Sequence, residues 1–411
     1  MTTSILFVDD EPNILDGLKR MLYPMRNEWN MTFCLGARQA LNILGKKEHD
    51  ILVTDLLMPE MDGGKLLEEV HSKYPGMIRM VLSGHSDKKL AFNASRFAHQ
   101  FLAKPLHPDQ MTSAIKRVVS LREVLTNSLV RELIAKLDSL PVLPEVHRRI
   151  MAELNAPEPS LKTVTGLISQ DMGLTTSMMK LVNSAFFGLP AKVSSAAHAV
   201  NLLGLDVISG LVLTVQLFSN FNSDMHKGYS LDNLWRHCLT TGLMCKALAR
   251  AEGLDPEGQD DLYIAGLLHD VGKLILLSYA PALYEEVLDA CRKENRAVWR
   301  MEKSILGCTH AELGAYLLSL WGFSEKSIPC ILHHHKLADY GGDVPLMAAI
   351  VHAANAFDHE INVKNPTYDN DRWNQDAILN LGFADRIPVW RQVAEETLKE
   401  VGSHDSESSD S

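Results

Sequence analysis

The stretch Ile51-Leu52-Val53-Thr54-Asp55-Leu56-Leu57-Met58-Pro59-Glu60-Met61-Asp62-Gly63-Gly64 decides the fold of the amino-terminal part of the chain. A short apolar run ending in a carboxylate, followed by a loop broken by Pro and Gly, is how a buried parallel strand delivers a polar residue to the carboxyl edge of an α/β sheet. Ligands and chemistry collect at that edge. Three further apolar runs end in polar groups: Ile5–Val8 runs into Asp9 and Asp10, Met80–Leu82 into Ser83, and Gln100–Ala103 into Lys104-Pro105. Converging carboxylates repel one another and call for a hard divalent cation such as Mg2+ with oxygen ligands. Lys104 and Ser83 suit a phosphoryl group on Asp55, one as a point charge and the other as a hydroxyl donor. Helically spaced apolar residues at 13–22, 37–44, 66–70 and 111–119 alternate with these runs, which predicts a doubly wound parallel sheet.

In this order and at these separations the residues resemble the receiver domain of two-component response regulators, with a flavodoxin-like sheet of five strands expected over residues 1–122. The resemblance implies that Asp55 is the phosphoacceptor and Asp10 the direct Mg2+ ligand, with Asp9 as its water-mediated helper. It also implies that Asp55 itself and the backbone carbonyl of Leu57 supply further oxygens to the Mg2+. Ser83 and Lys104 match the switch hydroxyl and the phosphate-sensing lysine, Phe101 stands at the aromatic switch position, and Lys104-Pro105 is the bond the family holds cis. A sensor histidine kinase or a phosphotransfer protein is the partner such a domain implies.

Composition bounds the rest. A chain of 411 residues accommodates two or three domains, and 46% hydrophobic with 22% charged residues is ordinary for a globular protein. The formal net charge of -11 argues against a broad nucleic-acid footprint, and no helix-turn-helix with a basic recognition helix stands out, so DNA is not an expected partner. Cys34, Cys238, Cys245, Cys291, Cys308 and Cys330 form no C-x-x-C pair and read as reduced, buried and inert. With no signal-peptide pattern and no apolar run of membrane-spanning length, a cytoplasmic location without a membrane span is expected.

Residues 121–140, LREVLTNSLVRELIAKLDSL, lack Pro and Gly and repeat Leu or Val at intervals of three and four. A continuous connecting helix over 123–140 is therefore expected, either packed on the next domain or paired with its copy in a homodimer. From 141 to about 360 the period is helical throughout, which predicts an all-α domain. Asp171-x-x-Leu174, Leu181-Val182-Asn183-Ser184-Ala185-Phe186-Phe187-Gly188 and Ala199-Val200-Asn201-Leu202-Leu203-Gly204-Leu205 resemble the HDOD domain, a bacterial signalling output related to metal-dependent HD hydrolases. Residues 361–411 are expected to form a helical extension, its last helix at 389–401, and a disordered acidic tail from Gly402.

Imidazoles recur in Trp235-Arg236-His237, Leu268-His269-Asp270-Val271-Gly272-Lys273, Thr309-His310 and His333-His334-His335. Inward side chains on facing helices are how helical domains build metal sites, and adjacent His269-Asp270 can both reach one cation at a helix end. Matched to the HD superfamily, His237, His269 and Asp270 fall on metal-ligand positions with Lys273 following, and His310, His334 and His335 match the extra histidines of its cyclic-di-GMP phosphodiesterases. Two positions depart: Asn355 stands where the closing Asp is expected, and Asn233 where some members carry Glu. A neutral carbonyl binds Fe2+, Mn2+ or Zn2+ less well than a carboxylate. The expected function is thus a phosphorelay response regulator whose helical output is a non-hydrolytic binding module acting on a downstream protein. The alternative is a receiver-controlled, metal-dependent phosphohydrolase of a cyclic dinucleotide.

Overall fold

The computed structural model describes residues 3–74, 76–83, 97–104, 111–116, 119, 145–154, 160–169, 174–175, 178, 182, 193, 195–219, 230–320, 323–340, 345–361 and 375–407. The chain divides near Arg148 into two compact units. The predicted connecting helix at 123–140, the segments 183–192 and 170–173 that carry part of the HDOD resemblance, and Pro105 lie outside the described residues.

The first unit is built on five parallel strands in the order β2-β1-β3-β4-β5, namely β1 (Thr3–Asp9), β2 (Trp29–Leu35), β3 (Ile51–Asp55), β4 (Ile78–Ser83) and β5 (Gln100–Ala103). Helices α1 (Pro12–Met21), α2 (Gly36–Leu44) and α3 (Gly63–Lys73) intervene, and residues 111–116 are helical. Every residue of β1 and β3 is buried, as a strand covered on both faces requires. Between the sheet and α2 and α3, Leu6, Val8, Leu52, Leu66, Leu67 and Val70 form one core. Strand β2 is the one sequence reading does not single out. As an edge strand it is only partly buried, so its apolar pattern is diluted, and it ends in Leu35 rather than in a polar group.

Among its described residues the second unit carries helices joined by short turns, and no strand. Its framework is α4 (Glu145–Leu154), α5 (Leu161–Ser169), α6 (Ala196–Leu203), α7 (Leu205–Ser219), α8 (Leu231–Ala251), α9 (Pro256–Leu268), α10 (Val271–Tyr279), α11 (Pro281–Glu294) and α12 (Val298–Ile305). It continues with α13 (His310–Leu320), α14 (Ser327–His333), α15 (Pro345–Ile361), α16 (Gln375–Asn380) and α17 (Ile387–Glu407). Helix α9 begins with Pro256 after the Asp255 cap, whose side chain accepts from the Gly258 N–H. Its residues Leu262–Leu268 are all buried, the mark of a central helix, and it packs on α7, α8, α14 and α15. Helix α17 packs on α8 and α15, with Trp390 buried and its indole N–H donated to Glu252 at 2.8 Å.

The expected disordered tail is corrected over 402–407, where α17 runs on through Gly402 to Glu407; residues 408–411 lie outside the described residues. Once a helix is nucleated and anchored, each added residue gains a hydrogen bond, so one Gly and a polar composition do not stop it. Among the described residues no single helix is long and apolar enough to cross a membrane. All six cysteines are buried and unbridged, and burial pushes the Cys34, Cys291 and Cys308 thiols up to about 12, which leaves them protonated and unreactive.

Candidate functional sites

At the carboxyl edge of the sheet, the parallel register Val8↔Thr54 sets Asp9 beside Asp55. Both carboxylates are buried, and Lys104, reaching over from the end of β5, holds them together. Its Nζ lies 2.6 Å from Asp55 Oδ1 and 3.2 Å from Asp9 Oδ2. Desolvation raises the Asp55 carboxyl above the usual carboxylate range, with the Asp9 charge adding to it and Lys104 opposing. The Leu57 N–H donates to Asp55 Oδ2 at 3.2 Å, and Asp10 is half-buried just past the end of β1. Ser83 closes β4 in register with Ala103; its side chain and that of Phe101 lie outside what is described. Gly63 is required locally: its N–H donates to Leu56 O at 2.9 Å, and a Cβ there would strike the Asp55 carbonyl oxygen. Two buried carboxylates at one strand edge, balanced by a single ammonium, fit a hard divalent cation.

In the helical unit, the residues that sequence matching singled out converge in space. Asp270 is common to two groups of side chains whose ligand atoms lie within 4.8 Å of one another: His237, His269 and Asp270 in one, and Asp270, His310, His334 and His335 in the other. His269 and Asp270 occupy the corner between α9 and α10, where the chain turns and lets adjacent side chains face the same point. Just past that corner, Gly272 lets α10 approach α13, because a Cβ on it would collide with the His310 backbone carbonyl. The close approach of α10 to α13 brings His310 Nε2 to 3.0 Å from Asp270 Oδ1.

Hydrogen bonds on the far side of each ring fix how the imidazoles point. His269 Nδ1 is 2.7 Å from Gly266 O and His334 Nδ1 2.6 Å from Ile331 O, and a carbonyl oxygen only accepts, so both Nδ1 atoms donate. His237 Nδ1 and His310 Nδ1 each face a carboxylate at 2.6 Å, Asp358 and Glu302 respectively. The inward Nε2 atoms are therefore free to act as ligands, the arrangement that anchored metal-binding histidines adopt. His237 Nε2 lies 3.0 Å from His269 Nε2, and His310 Nε2 3.0 Å from His335 Nε2. His334 Nε2 is buried without a hydrogen-bond partner. Inward ring nitrogens gathered this close, beside an orphaned buried nitrogen, fit divalent cations.

Electrostatics sets the protonation states a metal needs. Burial lowers His269 to about 3 and keeps His334 and His335 well below the ordinary histidine range. Burial opposes ionisation of Asp270, but Lys273, at 2.6 Å, and the surrounding imidazoles hold it well below the carboxylate range. His310 is the exception: Glu302 chiefly, with Asp270, raises it despite burial, so a cation there would have to displace its proton.

Sequence reasoning missed Glu302 and Asp358. Glu302 is fully buried, accepts the His310 backbone N–H at 2.8 Å as well as its ring, and receives Tyr284 OH at 3.1 Å. No spacing rule finds it. Asp358 could have been found, because it lies one turn beyond Asn355 on the same face of α15. Asn355 itself is buried with its Oδ1 unpartnered, so the carboxylate that meets His237 comes from Asp358 instead. Asn233 is exposed, its backbone N–H taken by the Ser230 cap.

Comparison with known proteins agrees with this geometry. The response regulator receiver domain profile matches residues 5–116 and the HDOD domain profile residues 140–337. The chain is 31% identical over 214 residues to an uncharacterized protein of Treponema pallidum, 52% of this chain and 40% of that one. It is 29% identical over 136 residues to the C4-dicarboxylate transport transcriptional regulatory protein DctD of Pseudomonas aeruginosa, 33% of this chain and 29% of that one. The chain thus spans less than half of either relative. An HDOD domain protein from Geobacter sulfurreducens shares the fold at TM-score 0.55 with 24% identity, covering 67% of this chain and 94% of that one. A signal transduction protein from Marinobacter aquaeolei VT8 does so at TM-score 0.53 with 18% identity, covering 90% and 86%. This chain carries a response regulator receiver domain at residues 5–116 followed by an HDOD domain at residues 140–337.

Proposed function

We propose that Asp55 accepts a phosphoryl group from a histidine kinase or phosphotransfer protein, and that this controls an output domain whose two histidine groups, sharing Asp270, would each hold a cation. In the receiver, Asp9, Asp10, Asp55 and the Leu57 carbonyl would hold Mg2+, and Lys104, here paired with the Asp55 carboxylate, would turn its charge to the phosphoryl oxygens with Ser83 as the second donor. In the output domain, His237, His269 and Asp270 would hold one cation and Asp270, His310, His334 and His335 the other. Bound cations of this kind supply Lewis-acid activation of a phosphate and of the water that attacks it. Glu302 and Asp358 lock two ligands in one tautomer, and Lys273 orients the shared carboxylate.

The observation that carries the phosphohydrolase reading is Asp270 shared between two cation-competent groups. The sequence alone weighs the other way, and Asn355 favours that second reading, a binding module without turnover: its unpartnered oxygen is neutral where a carboxylate would strengthen the shell. Hydrolysis of bis(p-nitrophenyl) phosphate by Mn2+-loaded protein separates them. Turnover that disappears in Asp270→Ala and changes on treatment with acetyl phosphate supports the hydrolase. A chain that binds Mn2+ and hydrolyses nothing supports the binding module.

A further inference from the structure

One face of α12 serves the metal centre twice. Glu302 fixes His310, and one turn earlier Trp299 lies nearly parallel to His335, the ring centroids 6.0 Å apart at 15°. Two cations stand over the same indole: Arg300 Cζ is 4.6 Å and Lys336 Nζ 5.4 Å from its centroid. Arg300 is exposed and Lys336 half-buried, and among the described residues neither is ion-paired with a carboxylate. The Trp299 indole N–H is buried with no acceptor. Two like charges gathered on one ring repel each other; the ring quadrupole offsets part of this, and an anion would offset the rest.

We propose that Arg300 and Lys336, seated on Trp299, form an anion clamp beside the His335 edge of the metal centre. The clamp takes a second phosphate from a ligand that presents its first to the cations. This assigns the substrate class, phosphate esters or anhydrides carrying at least two phosphate groups, and it rests on the metal-centre reading above. The guanidinium supplies paired N–H donors to two phosphate oxygens and the ammonium a mobile point charge. His335, a member of the second cation group, stacks on the same indole, so the two cations and that group have Trp299 as a common neighbour.

The test is calorimetric titration of the full chain, Mn2+-loaded and chelated, with inorganic pyrophosphate and with orthophosphate. The wild type is expected to prefer pyrophosphate by about tenfold or more. The double variant Arg300→Gln, Lys336→Gln is expected to lose roughly 10–100-fold in pyrophosphate affinity, the value of one or two charge-assisted hydrogen bonds, with orthophosphate binding and Mn2+ content unchanged. Displacement of pyrophosphate by a linear dinucleotide or by a nucleoside triphosphate supports the clamp in either case and tells the two sources apart. A double variant that keeps the pyrophosphate preference, or a wild type that has none, overturns it. Failure of the wild type to bind Mn2+ removes the metal-centre reading alone. The clamp is then judged in the chelated chain, where the wild type must still hold pyrophosphate better than the variant.

Discussion

Glu302 shows what a single buried carboxylate does in this protein. Its two oxygens satisfy the His310 ring, the His310 backbone N–H and Tyr284, so the ring is held with Nε2 toward Asp270. Glu302→Gln keeps the shape and removes the charge. It is expected to weaken Mn2+ binding about 10–100-fold, measured by competition with a chelator, while the helical signal is unchanged. Residues with strong local signatures, such as His269-Asp270 and the three strand-end groups Asp9, Asp55 and Lys104, were legible in the sequence because each ends an element in a polar group. Glu302 was not: nothing in Val298–Ile305 distinguishes it from a solvated glutamate until the fold buries it. Asn355 and Asp358 show the same limit more mildly, since one helical turn decides which of them meets His237 and the spacing alone does not fix the phase.

At the scale of elements, two close contacts shape the sites. The approach of α10 to α13 depends on Gly272, whose missing Cβ leaves room for the His310 carbonyl. Gly272→Ala is expected to cost about 1–3 kcal/mol in the denaturant transition of the helical unit, with loss of metal affinity as His310 is pushed from Asp270. In the receiver, β4 and β5 are joined through Arg79 and His99: the Arg79 backbone N–H donates to His99 Nδ1 at 2.9 Å and its guanidinium reaches Phe97 O and Met77 O. Burial, with the Arg79 charge, holds His99 well below the ordinary histidine range, and burial lowers His49 and His71 as well. The unfolded chain then takes up these protons first, below about pH 6.5, so receiver stability is present above that pH and is lost as the pH falls. Asp55, raised by burial, works in the opposite direction. Denaturant midpoints between pH 7.5 and 5 check this, and His99→Gln is expected to flatten the slope. The edge strand β2 and the length of α17 were the least legible elements. Both are set by neighbours, the sheet in one case and the anchoring of Trp390 on α8 in the other, and not by their own composition.

At the scale of the whole molecule, a receiver domain and an HDOD domain share one chain. Beryllofluoride with Mg2+ mimics the phosphoryl group, and is expected to change the intrinsic fluorescence of the wild type and leave Asp55→Asn unaffected. Equal responses would mean the acceptor is another residue. Fold class and domain order were readable because period and motif order survive any detail of packing, whereas for residues 123–140, between the two domains, the sequence offers only a helical pattern. The most direct test of the account is elemental analysis of the full chain after loading with Mn2+ and dialysis against Mg2+. The account predicts about two retained Mn2+ per chain from the two groups that share Asp270, falling to less than one in Asp270→Ala. A wild type that retains none, or a variant that retains as much as the wild type, would contradict it.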